Sequence, residues 1–231
     1  MKTKFEFPLC SECGTRGPTQ NDITGTKYCE NENCNVWFYW KEGCVHHKGK
    51  NNKEIWPNFL IVGAQKSGTT SLFHYLRRHP KIFLSPIKEP AYFSKYRGSV
   101  PFKNKKPTKE QYLELFQNVK DESAIGEVST PYLFDQDSAT NIYKTIPDAK
   151  IIIILRDPTE RAYSRYLENR WNSDMPPFGE EIRKELVTYN NEYPDPQDNL
   201  LYYGLYYEKV KRYLDTFGEK NVKILIYEEI F

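Results

Sequence analysis

Short apolar runs alternate with helix-spaced apolar residues along most of the chain. Phe59–Val62 (FLIV) and Ile151–Leu155 (IIIIL) are uninterrupted apolar runs of strand length, which is typical of strands buried on both faces of a parallel sheet. The second run is the more strongly apolar, so we expect it to be central in that sheet. Further strands are predicted at 81–84, 124–128 and 222–227.

Between these runs, apolar residues recur every three or four positions, which predicts amphipathic helices. In the first helix Leu72, Tyr75 and Leu76 share one face, and Pro80 ends it. Pro158 begins another helix, at a first-turn position where its missing N–H costs nothing. The predicted helices are 69–78, 109–119, 139–146, 158–171 and 202–217. Strands that alternate with helices predict an α/β fold with a doubly wound parallel sheet, whose binding crevice lies at the carboxyl ends of the strands.

The five cysteines divide the chain into two modules, because all of them lie before residue 45. The predicted domains are a Cys-rich module at 1–48, a polar linker at 49–57 and the main domain at 58–231. A secreted protein would more often spread disulfides through its main domain. The start of the chain also lacks the apolar region of a secretory signal. We therefore expect a cytoplasmic protein.

The spacing within the Cys-rich module is similar to that of a zinc ribbon: Cys-x2-Cys, fifteen residues, then Cys-x4-Cys. The predicted ligands of a structural Zn²⁺ are Cys10, Cys13, Cys29 and Cys34. The second pair is wider than the usual two-residue gap, and Cys44, His46 and His47 offer substitute ligands. Metal binding would fold a segment too small to make its own core. The alternative is two disulfides and one free cysteine.

The net charge of +2 gives no electrostatic reason to expect nucleic acid as a partner. Apolar runs stay well short of the roughly 20 residues that cross a bilayer, so no membrane span is predicted.

Residues 63–70 (GAQKSGTT) connect the first strand to the first helix and have the composition of a P-loop-like phosphate cradle. Backbone N–H groups and the positive end of the helix would face an anion there. The glycine spacing matches the ATP/GTP loop, G-x-x-x-x-G-K-[ST], but Thr69 occupies the lysine position and Lys66 comes three residues earlier. The loop therefore predicts a phosphorylated ligand other than a nucleoside triphosphate. An ordinary strand–turn–helix corner is the alternative.

Four motifs, in order, resemble those of sulfotransferases that use 3′-phosphoadenosine 5′-phosphosulfate (PAPS), closest to the branch acting on heparan sulfate and other glycans. They are FLIVGAQKSGTTSLFHYLRRHP at 59–80, KEPAYF at 88–93, EVSTPY at 127–132 and RDPTERAYSRY at 156–166. The resemblance implies transfer of the sulfuryl group of PAPS to an acceptor hydroxyl or amine, on a carbohydrate by preference, with adenosine 3′,5′-bisphosphate as the product.

The resemblance also implies roles for individual residues. Lys66 would stabilise the leaving oxygen and Glu89 would be the general base. The implied donor-binding residues are Gln65, Lys66, Ser67, Gly68, Thr69 and Thr70 at the 5′-phosphate, and Arg156 and Ser164 at the 3′-phosphate. Glu127 and Tyr132 would shape the acceptor side.

Other roles are open for some of these residues. Glu89 could be an ion-pair partner of Lys88, and Arg156 could pair with Asp157 or cap the sheet. Many glycan-sulfating relatives carry a polar residue, often His, where this chain has Ala91, which leaves the acceptor preference open. Two further arginines of the last motif, at 161 and 165, are expected on the solvated face of their helix.

Two other functions compete with sulfuryl transfer. A P-loop kinase would need a lysine at position 69 and a Mg²⁺-binding carboxylate such as Asp157. A non-catalytic zinc-ribbon adaptor would carry a degenerate sulfotransferase fold, which the presence of Lys66 and Glu89 disfavours. Relatives continue with a basic, glycine-containing loop over the nucleotide. This chain ends at Phe231 without one, so we expect a truncated domain or a substitute segment.

Overall fold

The computed structural model describes residues 54–96, 106–188 and 199–231, together with three short strands before them. These strands are β1 (Lys27–Tyr28), β2 (Val36–Tyr39) and β3 (Gly43–His46). They form an antiparallel sheet in the order β1-β2-β3. The predicted zinc ligands Cys10, Cys13, Cys29 and Cys34 lie outside the described residues.

The main domain is built on a five-stranded parallel sheet. Its strands are β4 (Phe59–Gly63), β5 (Ile82–Leu84), β6 (Ala124–Val128), β7 (Lys150–Leu155) and β8 (Val222–Ile226). Their order is β5-β6-β4-β7-β8, with every neighbouring pair parallel. All five strands were predicted. β7 is an inner strand, as expected, but the middle position belongs to β4.

Eight α-helices are described. They are α1 (Thr69–Leu76), α2 (Lys109–Glu114), α3 (Pro131–Phe134), α4 (Ser138–Thr145), α5 (Pro158–Asn172), α6 (Phe178–Thr188), α7 (Tyr207–Phe217) and α8 (Tyr227–Ile230). The predicted helix at 202–217 is broken into a 3-10 turn, Tyr202–Gly204, and α7, because Leu205 takes a ψ of 82°, outside the helical range. None of the helices in the described part of the chain is long and apolar enough to cross a membrane.

Both faces of the sheet are covered, as a doubly wound fold requires. Leu60 and Val62 of β4 pack with residues of α2, α3, α4 and α7. The alternate residues Phe59 and Ile61 pack with Phe73 of α1. This alternation follows from the two-residue period of a strand. The α/β fold with a parallel sheet is therefore confirmed, and its carboxyl edge carries the ends of β4, β6 and β7 side by side.

Candidate active site

A pocket of about 430 Å³ opens at the carboxyl edge of the sheet. The turn after β4, the segment after β5, the start of α3, the residue after β7 and one face of α5 all contribute to its wall. The lining residues include Gln65, Lys66, Gly68, Thr69, Thr70, Lys88, Glu89, Thr130, Arg156, Ser164, Arg165 and Glu168. Of the predicted donor-binding residues, Ser67 is the exception: it is buried, and its backbone N–H donates to the Ala64 carbonyl at 3.3 Å.

The turn after β4 has two residues in the left-handed region, Lys66 with a φ of 66° and Gly68 with a φ of 79°. A Cβ on Gly68 would come within 2.7 Å of the Phe231 ring and 2.9 Å of the Tyr227 ring. Both the positive φ and these close contacts therefore require glycine at this position. α1 begins directly after Gly68. Because the first N–H groups of a helix have no partner within it, those of α1 are available to an anion in the pocket.

Arg156 is held from several sides at the end of β7. Its guanidinium donates to the Lys66 carbonyl at 3.3 Å, lies 3.6 Å from the Glu160 carboxylate and sits 4.6 Å above the centre of the Tyr227 ring. The open alternative, a pair with Asp157, is not what the structure has. The Asp157 carboxylate instead caps α5, accepting from two N–H groups of its first turn at 2.9 Å each.

The inner face of α5 brings Ser164, Arg165 and Glu168 to the pocket. Oε1 of Glu168 lies 3.5 Å from Nζ of Lys66, and Oε2 lies 2.6 Å from the Arg165 guanidinium. Burial alone would raise the pKa of Glu168. The hydrogen bond from Arg165 and the charge of Lys66 outweigh burial, so the pKa lies below its usual value. The sequence did not single out Glu168, although its i+4 spacing from Ser164 places both on one helix face.

The Glu89 backbone is in the left-handed region, with a φ of 62°, and its N–H donates to the Val128 carbonyl at 2.7 Å. Its Oε1 accepts from Nζ of Lys88 at 2.6 Å and from Oγ1 of Thr130 at 3.0 Å. Glu89 therefore forms the ion pair with Lys88 and is also accessible from the pocket, because its side chain is 23% exposed.

Glu127 is completely buried and does not line the pocket. The hydroxyls of Tyr112, Tyr132 and Ser129 donate to it at 2.7, 2.8 and 2.7 Å. Burial raises the pKa of Glu127 to about 7 even though these three hydrogen bonds favour the ionised form. Tyr132 is also buried, so any influence of these two residues on the pocket has to pass through the residues that line it.

The two further arginines of the fourth motif, Arg161 and Arg165, are not on a solvated face of α5. Arg161 is completely buried; its guanidinium donates to the Leu200 carbonyl and lies 5.7 Å from the centre of the Tyr203 ring. Arg165 belongs to the pocket wall. The prediction failed because the segment around Tyr203 packs on α5 and covers the Arg161 face, a contact that helical periodicity does not reveal.

In the ranges that the structure describes, no three or more His, Cys, Asp or Glu residues are grouped as metal ligands would be. The pocket instead combines a helix amino terminus, four cations (Lys66, Lys88, Arg156 and Arg165) and the carboxylates of Glu89 and Glu168. Such a combination can bind a ligand with separate anionic groups and present a carboxylate to it.

Comparison with known proteins matches residues 57–231 to the sulfotransferase domain family. A sulfotransferase crystal structure from Alicyclobacillus acidocaldarius superimposes with a TM-score of 0.67 at 39% identity, covering 76% of this chain and 74% of that one.

Curated relatives agree with this result. The membrane-associated sulfotransferase kil1 of Dictyostelium discoideum is 36% identical over 110 residues, 48% of this chain. Carbohydrate sulfotransferase 15 of Mus musculus is 28% identical and the mouse bifunctional heparan sulfate N-deacetylase/N-sulfotransferase 4 is 29% identical, each over 80% of this chain. The chain spans only 22% to 43% of the length of these three relatives. The resemblance drawn from the four motifs is confirmed at the level of family and fold: the chain belongs to the sulfotransferase family.

Proposed function

We propose that this domain transfers the sulfuryl group of PAPS to a hydroxyl or amine of a carbohydrate. The observation that carries the proposal is that Lys66, Glu89, Arg156 and Ser164, taken from three separate motifs, line one pocket. This is the set of groups that in-line sulfuryl transfer needs: cations for the phosphates and a carboxylate for the acceptor proton.

The donor would lie with its 5′-phosphosulfate at the amino terminus of α1 and its 3′-phosphate at Arg156 and Ser164. An arginine donates two parallel hydrogen bonds to a phosphate, which gives direction as well as affinity. Arg156 is preorganised for this role, because the Lys66 carbonyl and the Tyr227 ring hold its guanidinium. The 3′-phosphate would then distinguish PAPS from other adenine nucleotides.

In the chemical step, Glu89 would accept the proton of the acceptor hydroxyl or amine as the new bond to sulfur forms. The bond between sulfur and the bridging phosphate oxygen breaks at the same time, and Lys66 would neutralise the charge left on that oxygen. Lys88 and Thr130 both contact Oε1 of Glu89, so Oε2 is the oxygen we assign to the acceptor proton.

A carbohydrate acceptor is supported by the motif resemblance and by the names of two relatives, a carbohydrate sulfotransferase and a heparan sulfate N-sulfotransferase. The competing kinase function is disfavoured because Thr69 stands where the phosphate-binding lysine of a nucleoside triphosphatase would be.

Calorimetry separates the alternatives. The proposal predicts binding of adenosine 3′,5′-bisphosphate without a divalent metal. Binding of ATP only with Mg²⁺, and no binding of the bisphosphate, would indicate a kinase. Binding of neither nucleotide would favour the non-catalytic adaptor.

We further propose that residues 1–48 form a zinc-ribbon module, joined by a linker at 49–57 to the transferase domain at 58–231. The support is the spacing of Cys10, Cys13, Cys29 and Cys34, which suits a four-ligand structural zinc. Thiolate ligands suit a reducing compartment, and on that ground we place the protein in the cytoplasm.

A further inference from the structure

The Glu127 carboxylate lies behind the segment that carries Glu89 and is linked to it by hydroxyl groups. Glu127 is the fourth residue of β6, in a position that is completely buried. An ionised carboxylate can only accept hydrogen bonds. Its three hydroxyl partners, Tyr112, Ser129 and Tyr132, must therefore all turn their protons towards it.

Two of these hydroxyls also contact the backbone immediately after Glu89. The Ser129 oxygen accepts from the Ala91 N–H at 3.0 Å, and the Tyr132 oxygen accepts from the Phe93 N–H at 3.3 Å. Because each hydroxyl proton is given to Glu127, the lone pairs of both oxygens are left to receive these N–H groups. Glu127 thereby fixes the direction of the two hydrogen bonds that the Ser129 and Tyr132 oxygens accept from the segment 89–93.

This segment has a backbone conformation that needs external support. Glu89 and Ala91, on either side of Pro90, have φ angles of 62° and 53°. A residue other than glycine in the left-handed region is held there only where its surroundings determine the conformation. Here the contacts come from the end of β6 and the residues after it, including the hydrogen bond from Thr130 to Glu89 itself at 3.0 Å.

We propose that Glu127 is a positioning residue for the base: through Ser129 and Tyr132 it holds the segment 89–93 in the conformation that presents Glu89 to the pocket. This inference rests on the proposed role of Glu89.

The protonation state of Glu127 enters this arrangement directly. In the described part of the chain the carboxyl faces hydroxyls: Tyr112 from α2, Ser129 after β6, Tyr132 from α3 and, further away, Tyr213 from α7. A protonated Glu127 must donate its own proton, so at least one hydroxyl that now donates to it has to turn. Burial brings the pKa of Glu127 to about 7, so this change falls within a range that a kinetic measurement can reach.

Two variants that each remove one hydroxyl group test the hydrogen-bonded link between Glu127 and the segment 89–93. Ser129→Ala and Tyr112→Phe each remove one hydroxyl that donates to Glu127, but only Ser129 bridges to Ala91. Phenylalanine retains the ring of Tyr112, which stacks on Tyr92 at 4.4 Å. We expect Ser129→Ala to lower turnover about 10- to 100-fold, the usual effect of misplacing a catalytic group. Because Tyr112→Phe removes a hydrogen bond that favours the ionised form of Glu127, the two variants are compared well above pH 7, where Glu127 is ionised. There Tyr112→Phe should stay within about threefold of the wild type.

Since the acceptor is unidentified, turnover is measured with two probes: inorganic sulfate released from radiolabelled PAPS, with water as the acceptor, and label transferred to desulfated heparan sulfate. Calorimetric titration with adenosine 3′,5′-bisphosphate accompanies each variant. An unchanged dissociation constant for Ser129→Ala shows that the pocket is folded and that the loss lies in turnover.

The pH profile separates positioning from a purely structural role. Falling pH protonates Glu127, so wild-type turnover should fall as the pH drops through about 7. Glu127→Gln should have low turnover throughout and lack this part of the acidic limb, because its side chain does not titrate. If Glu127→Gln does not fold, the comparison of Ser129→Ala with Tyr112→Phe decides alone.

The outcomes distinguish this inference from the proposed function. The proposed role of Glu89 is wrong if the wild-type protein shows neither sulfate release nor label transfer, or if Glu89→Gln has normal turnover. The positioning role of Glu127 is then wrong as well. If Glu89→Gln is impaired while Ser129→Ala keeps wild-type turnover and pH profile, positioning alone is wrong.

Discussion

The ammonium group of Lys66 lies 3.5 Å from the carboxylate of Glu168, whose other oxygen is 2.6 Å from the guanidinium of Arg165. A donor phosphate that binds Lys66 must compete with this carboxylate, since both are anions that use the same cation. We therefore expect Glu168 to oppose donor binding in the free protein.

Glu168→Gln should therefore tighten the binding of adenosine 3′,5′-bisphosphate. The Glu168 side chain is 45% exposed, so solvent weakens the interaction, and we expect only a two- to fivefold fall in the dissociation constant, roughly that of a surface ion pair. The control is Asp215→Asn, which removes an exposed ion pair with Lys211 on α7. Calorimetry at low ionic strength measures both. Weaker binding by Glu168→Gln would contradict the competition.

Arg156 is predicted to read the 3′-phosphate. Wild-type protein should bind adenosine 3′,5′-bisphosphate more tightly than adenosine 5′-monophosphate, and Arg156→Ala should remove most of that preference. A charge-assisted hydrogen bond contributes about 1.5–3 kcal/mol, so the loss should be roughly 10- to 100-fold. Arg170→Ala, further along α5 and outside the pocket lining, is the control. Equal losses for both nucleotides would place Arg156 elsewhere on the donor.

The buried carboxyl of Glu127 predicts a specific pH dependence of stability. Its pKa is raised from the ordinary value of 4.5 to about 7, so its contribution to stability is complete below about pH 4.5 and is lost as the pH rises through 7. A shift of this size amounts to about 3 kcal/mol. The free energy of unfolding of the wild type, relative to Glu127→Gln, should fall by that amount over this range. Denaturant titrations at several pH values measure the difference, and a constant difference would show that Glu127 has an ordinary pKa.

The zinc module makes a stoichiometric prediction. If Cys10, Cys13, Cys29 and Cys34 are the ligands, the purified protein should carry about one zinc per chain, as a closed four-ligand site does. Atomic absorption measures the metal, and mass spectrometry under non-reducing conditions measures disulfides. No zinc together with two disulfides would establish the alternative.

The sequence predicted β4 and β7 well because these two strands are largely buried and read as apolar runs. The residues that line the pocket were predicted only from the four motifs. Hydrophobic periodicity does not show that Lys66 and Glu89 line the same pocket. Helix α6 was missed, although Phe178 and Ile182 have helical spacing and pack against Tyr166.

Tertiary contacts account for the other differences. The helical pattern places Arg161 on the solvated face of α5, but the segment at 199–204 covers that face in the folded chain. Glu127 did leave a signal: a carboxylate within an apolar strand has to be hydrogen-bonded or neutral. Its partners come from residues 112, 129 and 132, so the network exists only in the folded chain.

Lys66→Ala should affect both donor binding and turnover. The ammonium group would contact the bound donor and the charge that develops on the leaving oxygen, so its loss weakens the ground state and the transition state together. Nucleotide titration and sulfuryl transfer, measured on the same preparation, test this. Unchanged binding with reduced turnover would restrict Lys66 to the transition state.

The proposed role of Glu89 as general base is tested by the turnover of Glu89→Gln with radiolabelled PAPS, measured beside its affinity for adenosine 3′,5′-bisphosphate. Glutamine retains the size and hydrogen-bonding shape of the side chain but cannot accept a proton at neutral pH. If Glu89 is the general base, Glu89→Gln should have nearly unchanged nucleotide affinity and a turnover lowered by roughly 10²- to 10⁴-fold, the usual contribution of a general base. Near-normal turnover of Glu89→Gln on an acceptor that the wild type sulfates would contradict this role.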